Sequence, residues 1–292
     1  DLNDGAARRM RHPAGVELRF VPEGPVEVTL STTGETGTPV SVFWGPFQER
    51  ATRVVGPEPT TLEITPPEKL GGLAPEAVDE LAFDPGVCRL RLAGEHRGEP
   101  TLFHDVRGEL RPPREDELPN RRYLAYGTSI TEGEAPSAEH LSYVAQAAWR
   151  LDADLLNLGT CGSAYGDPAL AEYIADREDW AFATLALSIN MVGTFSPAEF
   201  RERAANMIDV VAGRNPDRPV VVITIYRNDS DVRPAVTDDC GAFRRELREV
   251  VAETPHDNVS LLEGPEILPS MGGMTPDLVH PGDNAMIRMG ER

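Results

Sequence analysis

The spacing of apolar residues changes once along this chain, near residue 111, and the two spacings call for different kinds of layer. From residue 16 to 110 apolar and polar residues alternate. Val16-Glu17-Leu18-Arg19-Phe20, Val26-Glu27-Val28-Thr29-Leu30, Leu62-Glu63-Ile64 and Cys88-Arg89-Leu90-Arg91-Leu92 each set one apolar face against one polar face. Successive side chains of a strand leave opposite sides of the backbone, so these segments read as half-buried strands. Pro22-Glu23-Gly24-Pro25 and Gly34-Glu35-Thr36-Gly37 separate them as turns. An antiparallel β-sandwich or jelly-roll-like domain of about 110 residues is expected.

The stretch Arg111 to Asn120 interrupts this pattern with three prolines and five charges, a composition suited to neither ladder bonds nor a buried face. A boundary is placed there, giving residues 1–118 to the β-domain and 119–292 to a second domain. Beyond it, apolar runs at Tyr123–Tyr126, Leu155–Leu158, Ala183–Leu187, Val220–Ile225 and Val259–Leu262 have the continuous character of parallel strands covered on both faces. Helical patterns lie between them. The clearest runs from Ser196, which with Glu199 forms a capping box ahead of Pro197, to about Val211, where Gly213 and Asn215-Pro216 stop it. Asp238-Asp239 beside Cys240 is expected to open another helix. Five strand-then-helix units predict a three-layer α/β/α, flavodoxin-like domain with five parallel strands, whose ligands sit beyond the C-terminal strand ends.

Charge narrows the partners. Against 48 acidic residues stand 28 basic ones, for a net charge of −20, and Lys69 is the only lysine. Phosphate recognition depends on basic patches, so neither nucleic acid nor an anionic membrane is expected as a partner. Such a surface suits a high-salt interior, and equally a genome that favours Arg over Lys. The chain contains no apolar run of the length a membrane span needs. Its start, Asp1-Leu2-Asn3-Asp4, lacks a signal-peptide pattern, which favours a cytoplasmic location while leaving an upstream export signal open. Cys88, Cys161 and Cys240 are too few and too scattered for a disulfide framework or a zinc site; they are expected as small packing residues, with Cys161 the one closest to candidate chemistry.

That chemistry is sought in the loops after the strands. The first carries Tyr126-Gly127-Thr128-Ser129-Ile130-Thr131-Glu132-Gly133, the second Asn157-Leu158-Gly159-Thr160-Cys161-Gly162, and the third ends at Leu187-Ser188-Ile189-Asn190-Met191. Each alone also describes an ordinary turn. The last loop, Asp277-Leu278-Val279-His280-Pro281, has more content: a carboxylate three residues from an imidazole can accept its Nδ1–H, fix the tautomer and leave Nε2 to take a proton from a serine. A metal pair is the competing reading, without a third or fourth ligand at a matching spacing.

Together and in this order, the four loops resemble the sequence blocks of the SGNH (GDSL-like) hydrolase superfamily, over roughly residues 121–292. Thr128 stands where the family's signature has Asp, and Ser188 and Met191 depart from the third block's Gly and Asp. The resemblance implies a serine ester hydrolase with Ser129 as nucleophile, Asp277 and His280 as its proton-handling partners, and an oxyanion hole from the N–H groups of Ser129 and Gly162 with the Asn190 side chain. It calls for no cofactor and no metal. Loss of one oxyanion donor is expected to slow turnover by on the order of 10²-fold to 10³-fold, and loss of the serine to reduce it to near background. The first domain also resembles the jelly-roll modules ahead of some SGNH esterases, including carbohydrate deacetylases.

The expected substrate is a small ester, with short acyl or acetyl groups, including those on carbohydrates. Thioesterase and lysophospholipase activities of the same superfamily remain alternatives, as does a non-catalytic carbohydrate-binding protein with an SGNH-like shell; an oligomer is left open. The remaining histidines, His12, His96, His104, His140 and His256, are read as surface or packing residues, with His140 close enough to the serine loop to line a pocket. Phe43-Trp44-Gly45-Pro46-Phe47 reads as core, with a sugar-stacking platform as the competing possibility. Only twelve residues follow His280, enough for Asp283 to Arg292 to start a closing helix, so a shortened C-terminus would loosen the loop that holds Asp277 and His280.

Overall fold

The alternating half of the sequence folds into two antiparallel sheets, seen in a computed structural model that describes residues 2–11, 14–93, 100–187, 189–236 and 239–292. Ala14–Arg121 with Leu151–Asp154 form one unit; Arg122–Arg150 and Leu155–Arg292 form the other, joined by the segment ahead of residue 14. That segment carries helix α1 (Asp4–Arg9).

In the first unit the strands are β1 (Glu17–Pro22), β2 (Val26–Thr32), β3 (Thr38–Trp44), β4 (Phe47–Gln48), β5 (Arg53–Val55), β6 (Thr60–Ile64), β7 (Cys88–Leu92), β8 (Thr101–Arg107) and β9 (Leu110–Arg111), with a short helix α2 (Pro75–Asp79). One sheet runs β4-β3-β7-β1-β9, with β5 also on β3, and the other runs β6-β2-β8. The predicted alternation is what fills the core: Val26, Val28 and Leu30 of β2 and Leu62 and Ile64 of β6 join Val40, Val42, Trp44, Cys88, Leu90 and Phe20. Trp44 and Phe43 are buried and Phe47 is exposed, so the aromatic cluster serves mainly the core.

The polar face of β1 and β7 is not left to water. Register places Glu17 opposite Arg91 and Arg19 opposite Arg89. Arg89 donates two hydrogen bonds to Glu17 (2.8 and 2.7 Å), Arg19 donates another (2.7 Å), and the Arg89 guanidinium lies 3.7 Å from the Phe83 ring centre. Burial alone would raise the Glu17 pKa; Arg89, Arg91 and Arg19 overturn that and hold it below the usual carboxylate range. The proline-rich stretch is likewise more ordered than its composition suggested. Arg111 extends the ladder opposite Val21, and its guanidinium binds Glu117 through two bonds of 2.7 and 2.6 Å. Glu117 also accepts from the Arg114 N–H and is buried. Once paired in this way, a carboxylate in a turn can be buried.

The second unit contains a five-stranded parallel sheet, β10 (Arg122–Gly127), β11 (Asp154–Gly159), β12 (Phe182–Ala186), β13 (Val220–Ile223) and β14 (Val259–Leu262), in the order β11-β10-β12-β13-β14. The helices are α3 (Ser129–Glu132), α4 (Tyr143–Arg150), α5 (Pro168–Ala175), α6 (Pro197–Gly213), α7 (Cys240–Glu253), α8 (Gly264–Ile267) and α9 (Asp283–Glu291). Helix α6 begins with the predicted Ser196–Glu199 capping box and ends at Gly213. Asp239 caps α7 by accepting from the Ala242 N–H (3.3 Å); Asp238, named with it, lies outside the described residues.

On one pleat, Leu124, Tyr126, Leu185 and Val222 meet Ile174 of α5, Phe200 of α6 and Phe243 of α7 in one apolar cluster. On the other pleat Tyr123 stacks on Phe182 and bonds Thr184, while α4 brings Tyr143 edge-on to Tyr226. The result is the expected α/β/α layering. Connections from β10 lead outward to β11 and then back across to β12, so a crevice opens at the C-terminal ends of these strands. The loops after β10, β11 and β12 carry Ser129, Gly162 and Asn190.

Candidate active site

Ser129 opens α3 directly after β10, and it is 4% exposed. Thr128 caps the turn by accepting from the Ile130 N–H, and Gly133 ends it in the left-handed region at φ 91°. Thr128 therefore carries a structural hydroxyl where the related signature has a carboxylate. The end of β11 presses against this turn. A Cβ on Gly159 would lie 2.3 Å from the Glu132 nitrogen and 2.6 Å from its Cα, so only glycine permits the approach. Asn157 locks the contact: its Nδ2 donates to the Thr131 carbonyl (2.9 Å), and its Oδ1 accepts from the Gly159 N–H (2.9 Å).

Beyond Gly159 the chain passes Cys161, whose N–H donates to the buried Glu132 carboxylate (2.5 Å). Gly162 follows at φ 65°, with open space on the side a Cβ would take. Among the described residues, no acceptor is engaged by the N–H groups of Ser129 or Gly162. Asn190 lies near the same loop, its Oδ1 accepting from the Ala164 N–H (3.2 Å). That bond orients the amide and leaves Nδ2 as a donor. Ser188, which belongs to the same block, lies outside the described residues.

The loop ahead of α9 supplies the other groups. Ser129 Oγ–H donates to His280 Nε2 (2.8 Å), and His280 Nδ1–H donates to Asp277 Oδ2 (2.7 Å). The other oxygen, Oδ1, accepts from the Thr275 hydroxyl (2.7 Å), the Val279 N–H (2.8 Å) and the His280 N–H (2.9 Å). Burial works to raise the Asp277 pKa, but these hydrogen bonds prevail and hold it below the usual carboxylate range. Leu278 takes a left-handed φ of 59°, a conformation that costs a bulky side chain about 1 kcal/mol or more. The Thr275 N–H closes the loop onto the His280 carbonyl (2.8 Å). Serine, imidazole and carboxylate thus form one continuous hydrogen-bonded path, in which the imidazole can take the serine proton while the carboxylate holds the ring in place.

Of the predicted site residues, Ser129, His280 and Asp277 are joined in one chain of hydrogen bonds, while Gly162 and Asn190 occupy loops at the same strand ends. Sequence reasoning missed Thr275, Glu132 and Glu134, and it missed the support from α1. Glu134 Oε2 lies 3.4 Å from His280 Nε2 and accepts from the Cys161 thiol (3.0 Å). Burial, with Glu134 beside it, pushes that thiol up to about 12, so Cys161 stays a protonated donor. From the N-terminal segment, Asn3 donates to the Ser163 carbonyl (3.0 Å) and to Asp167 (2.5 Å), and Arg9 pairs with Glu132 (3.4 Å). Asn157 leads the Asn-x-x-x-x-Gly spacing that ends at Gly162 in the quoted second block, whereas nothing in the spacing of Glu132 distinguished it from an ordinary helix residue.

His104 bonds Ser31 and His256 bonds Asp209, while the His140 carbonyl accepts from Gln146 (2.7 Å); His12 and His96 lie outside the described residues. Among the described residues, no group of three or more His, Cys, Asp or Glu is placed to hold a metal ion, and no helix is long and apolar enough to cross a membrane.

Comparison with known proteins places the part of the chain that carries this site in a family. The family model for the GDSL-like lipase/acylhydrolase family matches residues 120–292. No match to a curated protein was found. Among solved structures, the chain is similar to one described as a GDSL-like lipase from Bacteroides ovatus ATCC 8483, at 16% identity and a TM-score of 0.72, covering 99% of this chain and 86% of that one. It is also similar to the salicylyl-acyltransferase SsfX3 from a tetracycline biosynthetic pathway, at 17% identity and a TM-score of 0.74, covering 99% and 83%. A third is a family two carbohydrate esterase from Clostridium thermocellum, at 17% identity and a TM-score of 0.63, covering 96% and 90%. These likenesses are likenesses of fold, and they extend over both units. With more than half of the sequence matched by the family model, the chain belongs to the GDSL-like lipase/acylhydrolase family.

Proposed function

We propose that this serine ester hydrolase acts on small esters with short acyl groups, acetyl groups on carbohydrates among them, through Ser129, His280 and Asp277. His280 Nε2 takes the Ser129 hydroxyl proton as Oγ attacks the ester carbonyl. The carbonyl oxygen becomes an oxyanion facing the N–H groups of Ser129 and Gly162 and the Asn190 amide. His280 then gives its proton to the departing alcohol oxygen as the ester C–O bond breaks, and water repeats the sequence on the acyl-enzyme. Asp277 keeps the imidazole in the productive tautomer and stabilises its positive charge.

The observation that carries this reading is the continuous hydrogen-bonded path of 2.8 and 2.7 Å from Ser129 through His280 to Asp277. The carbohydrate class is supported by a fold shared with a carbohydrate esterase solved in complex with cellohexaose. The proposed domains are residues 1–118 and 119–292; the step between compact units falls close to that boundary, at Arg121 and Arg122, while the segment ahead of Ala14 groups with the second unit.

Hydrolysis of p-nitrophenyl acetate and labelling by a fluorophosphonate probe test the assignment. Wild type is expected to do both, and Ser129→Ala neither. Asn190→Ala is expected to keep labelling while losing about 10²-fold to 10³-fold in rate. Undiminished hydrolysis by Ser129→Ala would overturn the assignment. A parallel screen of acetylated sugars, p-nitrophenyl esters and acyl thioesters ranks the substrate classes.

A further inference from the structure

We infer that Glu134 selects the alcohol half of the ester, favouring alcohols with a hydrogen-bond donor or a positive charge beside the ester oxygen and rejecting those with an anionic group there. The inference rests on the proposed roles of Ser129 and His280 and adds a group that those roles do not include.

Its basis is position. Nε2 of His280 is the atom that hands a proton to the leaving oxygen, so that oxygen must come within hydrogen-bond reach of it, about 2.6–3.2 Å. Glu134 Oε2 lies 3.4 Å from the same nitrogen. A substituent on the carbon next to the ester carbon therefore meets the Glu134 carboxylate, whereas the carbonyl oxygen is directed toward the oxyanion donors. The glutamate side chain is 38% exposed and reachable, yet it is held in place. The Cys161 thiol donates to Oε2 at 3.0 Å, and the Glu134 N–H donates to the Ser129 carbonyl at 3.1 Å. Ser137, three residues on, anchors the segment through two bonds to Asp283 (2.6 and 2.7 Å).

Among the described residues, no arginine or lysine pairs with Glu134, and the ring beside it is that of His280 at 3.4 Å. The carboxylate is therefore available to a substrate hydroxyl or ammonium, and it repels a substrate carboxylate or phosphate at close range.

The test compares acetate esters that share one acyl group and differ in the alcohol: ethyl acetate, 2-hydroxyethyl acetate, acetylcholine and acetoxyacetate. Wild type is expected to show kcat/KM about tenfold higher for 2-hydroxyethyl acetate and acetylcholine than for ethyl acetate, as one charge-assisted contact implies, and the lowest value for acetoxyacetate. In Glu134→Gln the acetylcholine preference and the acetoxyacetate penalty should both fall to within about twofold of ethyl acetate. In Glu134→Ala the 2-hydroxyethyl preference should go as well. Fluorophosphonate labelling of each variant shows that Ser129 is still activated, and a merely structural role for Glu134 would lower all four rates together without changing their ratios. Equal ratios in wild type and both variants would overturn the inference while leaving the hydrolase reading intact. Failure of wild type to cleave any of the four esters or to label would overturn both.

Discussion

The two sides of the candidate site are built by different means. Ser129 sits 4% exposed in a turn wedged between β10 and β11, where a glycine and an asparagine allow two backbones to meet. Asp277, by contrast, keeps 49% of its side chain exposed, in a loop whose order comes from hydrogen bonds among residues 274–281. Ser129 is thus placed by long-range packing, whereas His280 is oriented by its own near neighbours in sequence. Packed interiors tolerate little change in volume, and local hydrogen-bond networks tolerate little change in chemistry. Substitutions on the two sides should therefore fail in different ways.

The largest effect is expected on the locally ordered side. Asp277→Asn keeps the shape of the side chain but loses the charge and can present the wrong atom to His280 Nδ1–H, so kcat should fall by about 10⁴-fold, while the loss of the charged acceptor lowers the melting temperature at neutral pH. Steady-state kinetics beside a thermal melt measures both. A loss below tenfold would mean that packing, not Asp277, orients His280.

Gly159→Ala probes the packed side and should act through volume rather than charge. The added methyl must move the Glu132 backbone, because no flexible side-chain end stands in its way. Overpacking of this kind costs about 1–3 kcal/mol, and a displacement of the serine turn by about 1 Å would lower kcat by about 10²-fold. Denaturant unfolding and kinetics on the same variant should show both losses. Unchanged stability would show that the two backbones separate freely and would weaken the contrast.

The smallest effect is expected from Thr275→Val, which removes one donor to Asp277 and leaves the backbone N–H donors. Because the carboxylate is half exposed, water replaces much of the lost bond and a severalfold loss in kcat/KM is expected. Its pH dependence has a definite sign. The folded-state pKa of Asp277 is depressed, so its contribution to stability is present above the ordinary carboxylate value and is lost as pH falls through the lower folded value. Removing a bond that lowers the pKa raises the folded value and moves that loss to higher pH. Titration of the Asp277 side-chain carboxyl by NMR in both proteins would reveal an upward shift in the variant; no shift would remove Thr275 from the network.

How far this could be read without coordinates differs along the same line. Alternation and continuous apolar runs located the strands of both units because burial on one or two faces is written directly into the residue pattern. Asp277 and His280 were legible because their partnership is local, three residues apart in one loop. Glu134 was not legible, since a glutamate five residues after Ser129 reads as a solvated charge until the last loop brings His280 beside it. The face of β1 and β7 misled for a related reason: Glu17 and the three arginines look solvent-exposed in an alternating strand, and only the strand register pairs and buries them.

Sequence alone determined the layer type of each half, the start of α6 and the carboxylate–imidazole pairing, all of which follow from periodicity, capping chemistry and short-range spacing. Tertiary structure decided which distant atoms meet: Ser129 with His280 across 151 positions, Gly159 against Glu132, Arg9 on Glu132, and Glu134 beside His280. Those contacts depend on strand order and close packing, and chain order alone does not record them.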